Sequence, residues 1–140
     1  SCYESIFGIN IVGDSESNKL GQLSRSVYRE YGGYWVARRV SGVFAAKNKL
    51  VSANRLELTF PSGQVPQGIT HQARLRWSDN KGLTYGNPMI KEIGTAGAGN
   101  QRLVWWSMGS FRQRVYELSI STAANRDLID EDFQYEVGGL

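Results

Sequence analysis

The chain shows almost no helical periodicity, and this constrains its fold more than any other feature. Apolar residues recur instead at every second position in short runs, the spacing of a strand with one face covered. "NRLELTF" sets Leu56, Leu58 and Phe60 against Arg55, Glu57 and Thr59. "QARLRW" sets Ala73, Leu75 and Trp77 against Gln72, Arg74 and Arg76, and "RVYELSI" sets Tyr116, Leu118 and Ile120 against Val115, Glu117 and Ser119. "YWVARRV" alternates with both faces mixed, as a partly covered strand would. "RLVWWSMG" is too apolar for one-sided exposure and reads as a strand covered on both sides.

Turn-forming residues separate these runs: Gly32-Gly33, the loop from Pro61 to Gly68, the knot at Ser78–Gly82 and the Gly/Ala stretch from Gly94 to Asn100. Short strands with turns every 8–15 residues or so predict an all-β fold, an antiparallel β-sandwich-like domain. Blades of a β-propeller are the alternative, disfavoured because 140 residues make too few blades to close a ring. Residues 1–20 read as an irregular N-terminal segment and 21–140 as a single β domain. From about residue 125 this domain ends in an acidic tail with Asp127, Asp130, Glu131, Asp132 and Glu136. There the alternation of Phe133, Tyr135 and Val137 favours an edge strand over a helix. The chain opens on Ser1 rather than Met, as an excised or processed piece would.

Charge narrows the partner classes. Every Lys and Arg lies at or before Arg126, so residues 1–126 hold sixteen basic and eight acidic side chains. Arg outnumbers Lys about two to one, with pairs at Arg38-Arg39, Arg74/Arg76 and Arg112/Arg114. Such a body suits phosphates or an acidic partner surface, and the plain alternative is the solvated face of ordinary strands. The longest apolar runs span only a few residues, too short for a transmembrane helix, so no membrane partner is expected. The single cysteine, Cys2, allows no disulfide within one copy.

No catalytic constellation assembles. His71 is the sole histidine, which excludes multi-histidine metal sites, and the residues around it form no nucleophile elbow. It reads as a loop histidine. Asp127, Asp130 and Asp132 lack the spacing of a calcium loop. The Gly94–Asn100 stretch lacks the Lys-Ser/Thr ending of a phosphate loop. No catalytic residue, metal site or cofactor is therefore expected, and the chain reads as a non-enzyme. Trp105 and Trp106 are consecutive and point to opposite faces of a strand, so an uncovered one would anchor a partner. Together with Arg38, Arg39, Arg112 and Arg114 they make up the candidate partner interface.

The knot region, "WSDNKGLTYGNP", reads as a structural hairpin turn made by Trp77, Ser78, Asp79, Asn80, Gly82, Thr84 and Tyr85. Asp and Asn side chains satisfy backbone groups two residues on, and Gly82 supplies a positive φ. From Leu75 to Ser121 the chain resembles the C-terminal pattern of a phage family. That family is the packaged-DNA stabilisation proteins of short-tailed phages, the tail-accessory or nozzle components below the portal. Trp77, Ser78, Asp79, Gly82, Thr84 and Asn87 carry the first part of the likeness. Gly94, Arg102, Val104, Trp105, Gly109, Arg112, Arg114, Val115, Leu118 and Ser121 carry the rest. "GQLSRSVYREYGG" and "NRLELTFPSG" extend it back to Gly21. Asn80, Lys81 and Tyr85 stand where the family has Asp, Gly and Trp, Trp106 and Ser107 where it often has two Arg, and the stretch after Ser121 lies outside the likeness.

The resemblance implies a virion structural protein, a head-to-tail connector or tail nozzle component assembled in the host cytoplasm. It would stabilise packaged DNA in the capsid through contacts with other tail and portal proteins and through self-association in a ring, with any DNA contact indirect. The knot also resembles the Asp-box hairpin of sialidase-like propellers, with Ser78, Asn80, Gly82, Thr84 and Tyr85 at its positions. That likeness makes a carbohydrate-binding or sialidase-like β module the alternative function. A nucleic-acid-binding β domain, stacking bases on aromatics between Arg-bearing strands, is the second alternative.

Overall fold

The computed structural model describes residues 2–4, 8–61, 65 and 67–138, so most of the turn between Pro61 and Gln67 lies outside the described residues. The chain divides into two compact units, 1–35 and 36–140. The first holds β1 (Cys2–Glu4), β2 (Ile9–Gly13) and β3 (Leu20–Leu23), antiparallel in that order. Within the segment expected to be irregular, residues 14–19 make the β2–β3 turn. Asp14 N–H donates to the Lys19 carbonyl, while the Asp14 carboxylate accepts from the Ser17 hydroxyl and the Glu16 N–H. A turn satisfied by its own Asp side chain lets the short runs on either side pair. The expected irregular segment over 1–20 is corrected accordingly, and the larger unit begins at 36 rather than 21.

The second unit contains β4 (Ala37–Val40), β5 (Phe44–Ala45), β6 (Val51–Phe60), β7 (His71–Ser78), β8 (Met89–Gly94), β9 (Gln101–Trp106), β10 (Ser110–Phe111), β11 (Gln113–Ile120) and β12 (Asp130–Val137). They form two antiparallel sheets. In one, β6 has β12 on one side and β9 followed by β10 on the other. In the other, β11 has β4 and β5 on one side and β7 on the other, with β8 beyond β7. This is a β-sandwich, and the propeller alternative falls.

The alternation of β6 decides where the core lies. Leu56, Leu58 and Phe60 are buried, as their spacing predicts, whereas Val51 and Ala53 are buried with the opposite parity. The phase changes at a bulge: Arg55 faces Gln134 of β12, Ala53 faces Tyr135, and Asn54 is skipped. The neighbour on the other side breaks at the same level. Ser107 N–H donates to the Asn54 carbonyl, and Met108 and Ala53 are bonded next to it. Ser107 and Gly109 take positive φ there, which splits one strand into β9 and β10.

Two further expectations change. β9 is covered mainly on one side: Leu103 and Trp105 are buried while Arg102 and Trp106, on the face turned away from the other sheet, are exposed. The acidic tail is an integral strand from Asp130, as the Phe133–Val137 alternation favoured, and it pairs with β6 over eight residues.

The two neighbouring tryptophans should therefore respond oppositely to truncation. Trp105 is 0% exposed, and Trp105→Ala is expected to cost ~3–5 kcal/mol in urea denaturation. Trp106 is 62% exposed with Arg55 5.4 Å from its ring centre, and Trp106→Ala is expected to cost ~1 kcal/mol or less. Equal losses would contradict this placement of β9.

Candidate functional site

The knot between β7 and β8 closes on its own side chains. The Ser78 hydroxyl accepts from Gly82 N–H at 2.9 Å and donates to Asn80 Oδ1 at 2.7 Å. Asn80 Oδ1 also accepts from Thr84 N–H at 2.9 Å, and its Nδ2 donates to Thr84 Oγ1 at 2.7 Å. Gly86 N–H returns the chain to the Trp77 carbonyl at 3.0 Å. Gly82 sits at φ +88°, where an added Cβ would come within 3.3 Å of the Tyr85 hydroxyl. Lys81, in the position where the resembled family has Gly, also takes a positive φ of 61°.

Asp79 leaves this circuit and turns to Arg114. Its two oxygens accept from Arg114 Nε at 2.6 Å and Nη2 at 2.9 Å, a forked pair, while Nη1 donates to the Met108 carbonyl at 2.6 Å. The guanidinium lies 4.3 Å from the Phe111 ring centre, 5.0 Å from that of Trp77 and 5.9 Å from that of Tyr116. Burial alone would lower the Arg114 pKa, but the Asp79 bond and the neighbouring Tyr116 hydroxyl outweigh it and hold it above its ordinary value. Burial raises the Tyr116 hydroxyl, with Arg114 opposing.

The six residues proposed as a partner interface do not form one surface. Trp105 is core, and Arg114 is only 3% exposed and committed to Asp79, so both are withdrawn. Arg38 and Arg39 are consecutive on β4 and part to opposite faces. Arg38 joins the outer face of its sheet, 3.6 Å from Glu117, and Arg39 lines a groove on the inner side. Arg112 is exposed and donates to the Asn48 carbonyl. Trp106 stands on the outer face of the other sheet beside Arg55, which pairs with Asp132.

Two features were not foreseen. Glu117 on central strand β11 is buried, held by Arg76 at 2.6 Å and flanked by Arg38 across the strand. Arg74 lies on the same outward side, one pair further along and opposite Ser119. The alternation placed Glu117 on that face, but its burial depends on β11 being central. The second feature is the groove of about 470 Å³ where β12 faces β4 and β5. Its walls include Leu56, Leu58, Leu75, Leu118, Leu128 and Phe133, with Arg39 and Glu131 among them. It does not include Tyr85, the residue around which the carbohydrate alternative needed an aromatic groove. His71 is not a loop residue: it begins β7 and is 1% exposed. Burial pushes its imidazole below the ordinary value, the Asn125 backbone opposes this, and the Arg126 charge adds to it.

Residues 37–131 match a family model described as "Bacteriophage P22 Gp10, beta-sandwich". That span covers the sandwich from the start of β4 into β12. No curated protein matches the chain.

Three outcomes follow from this geometry. Arg114→Ala leaves the half-exposed Asp79 and the Met108 carbonyl without their donor and should cost ~1–3 kcal/mol in chemical denaturation; Arg114→Lys, which lacks the fork, should not restore it. Lys81→Gly relieves a left-handed side chain and should stabilise by ~0.5–1 kcal/mol, read as a raised midpoint. His71 favours its neutral form when folded, so its contribution is complete above its unfolded pKa of ~6.5 and is lost as pH falls below that. A melting series from pH 8 to 5 should show the decline, and His71→Gln should flatten it.

Proposed function

The chain belongs to the bacteriophage P22 Gp10 beta-sandwich family, and on that premise we propose that it is a non-enzymatic structural protein of the phage virion. In this reading it is a head-to-tail connector or tail nozzle component, assembled with the particle in the host cytoplasm. It holds packaged DNA in the capsid mechanically, by joining a ring of copies and binding adjoining tail and portal proteins. DNA itself is contacted indirectly.

The observation that carries the reading is the family match over residues 37–131, roughly two-thirds of the chain. The stretch Leu75–Ser121, which resembles the packaged-DNA stabilisation proteins, falls wholly inside it. The chemistry of the surface is compatible. Arg and Trp are enriched among interface anchors, and Arg38, Arg39, Arg112 and Trp106 remain exposed on the sandwich. A protein acting through assembly needs such anchors on a rigid frame, and the sandwich supplies the frame.

Particles produced without this protein are expected to fill with DNA and then lose it, read as nuclease-sensitive genomes and empty heads. Heads that keep their DNA without it would rule the reading out. A double change, Arg38→Gln with Trp106→Ala, should reduce incorporation into purified particles without lowering the melting temperature by more than a few degrees, since both side chains are exposed and Arg76 still holds Glu117. Wild-type incorporation of that variant would remove these two residues from the contact.

A further inference from the structure

The groove beside β12 combines three properties that together select one kind of occupant. Its floor is apolar, and its volume of about 470 Å³ falls within the range of true binding sites. It is bounded by three strands that, among the described residues, pair on one side only: β12 pairs with β6, and β4 and β5 pair with β11. The inward side of β12 is incompletely covered as well. Tyr135 and Val137 face Ala53 and Val51 across the ladder yet are 54% and 45% exposed. The third property is charge: Asp130, Glu131 and Glu136 all stand exposed on this edge strand.

We propose that this groove receives an extended segment of another protein, in which apolar residues alternate with Lys or Arg, added as a strand along the free edge of β12. The proposal rests on the reading of the chain as an assembly protein and names the surface and the chemistry of one partner. An added strand bonds the unpaired backbone of β12 and, with its period of two, drops alternate side chains onto Leu58, Leu118 and Phe133. A small apolar ligand would fill the floor but leave both strand edges unpaired. Like charges set opposite one another destabilise a strand pair, so the acids of β12 oppose pairing of this edge with the β12 of a second copy. The same acids favour a basic strand. Arg39 on the facing wall is a single cation among them.

The test is an NMR titration of the full chain with two ten-residue peptides, one alternating Val and Lys, the other alternating Val and Glu. The Lys peptide should shift the β12 amides and the methyls of Leu58, Leu75 and Leu118, and the Glu peptide should bind about tenfold or more weakly at low salt. Asp130→Lys with Glu136→Lys, both exposed on the outward side of β12 and compatible with folding, should reverse that preference. Equal binding of the two peptides, shifts confined to other faces, or no shifts at millimolar peptide would overturn the proposal. So would concentration-dependent self-association that the same double variant abolishes, because it would assign the groove to a second copy. These outcomes are independent of whether particles retain their DNA, so the groove and the structural role can fail separately.

Discussion

The ion pair between Arg114 and Asp79 holds the end of the sandwich together. A guanidinium taken out of water must be paired and fully bonded, or its burial is destabilising. Here three separate segments meet that demand: the knot supplies the carboxylate, the break between β9 and β10 supplies the Met108 carbonyl, and Phe111, Trp77 and Tyr116 supply aromatic faces. Because β11 belongs to one sheet and the β9–β10 break to the other, the same side chain clasps both sheets. The knot is thus part of the core's closure, although its turn is satisfied locally. This accounts for a motif so rich in polar residues at the end of an apolar core.

The clasp contrasts with the side bounded by β12 and by β4 and β5, where the facing walls are mainly apolar and a groove remains. One region is set by a charged network with fixed geometry and the other by non-directional packing. The sandwich thus combines a bonded clasp at one end with an open groove at its side. The basic cluster around Glu117 on the outer face adds a surface of the opposite sign to the β12 edge.

Much of this was legible in the residues themselves. The alternation in β6, β7 and β11 identified strands and their faces, and the Ser78–Thr84 composition identified a self-bonded turn with Gly82 left-handed. Other features had no local sign. The turn at Ala46–Lys49 carries neither Gly nor Pro, yet Lys47 and Asn48 both adopt positive φ. The β2–β3 hairpin was hidden because its polar turn resembles an unstructured stretch. The bulge at Asn54 shifts the phase of β6 without any Gly to announce it.

What the sequence by itself determined is the all-β class, the identity of most strands, the side of each strand on which apolar residues gather, and the likeness to a phage family. A period of two reports that two faces differ, and this follows from backbone geometry alone. Tertiary structure decided which faces are covered. It made Trp105 core and left Trp106 exposed, committed Arg114 to a partner 35 residues away, and joined the acidic end to β6 as β12. The reason is physical: coverage and charge pairing depend on strand order and register, which are set by contacts between segments far apart in the chain.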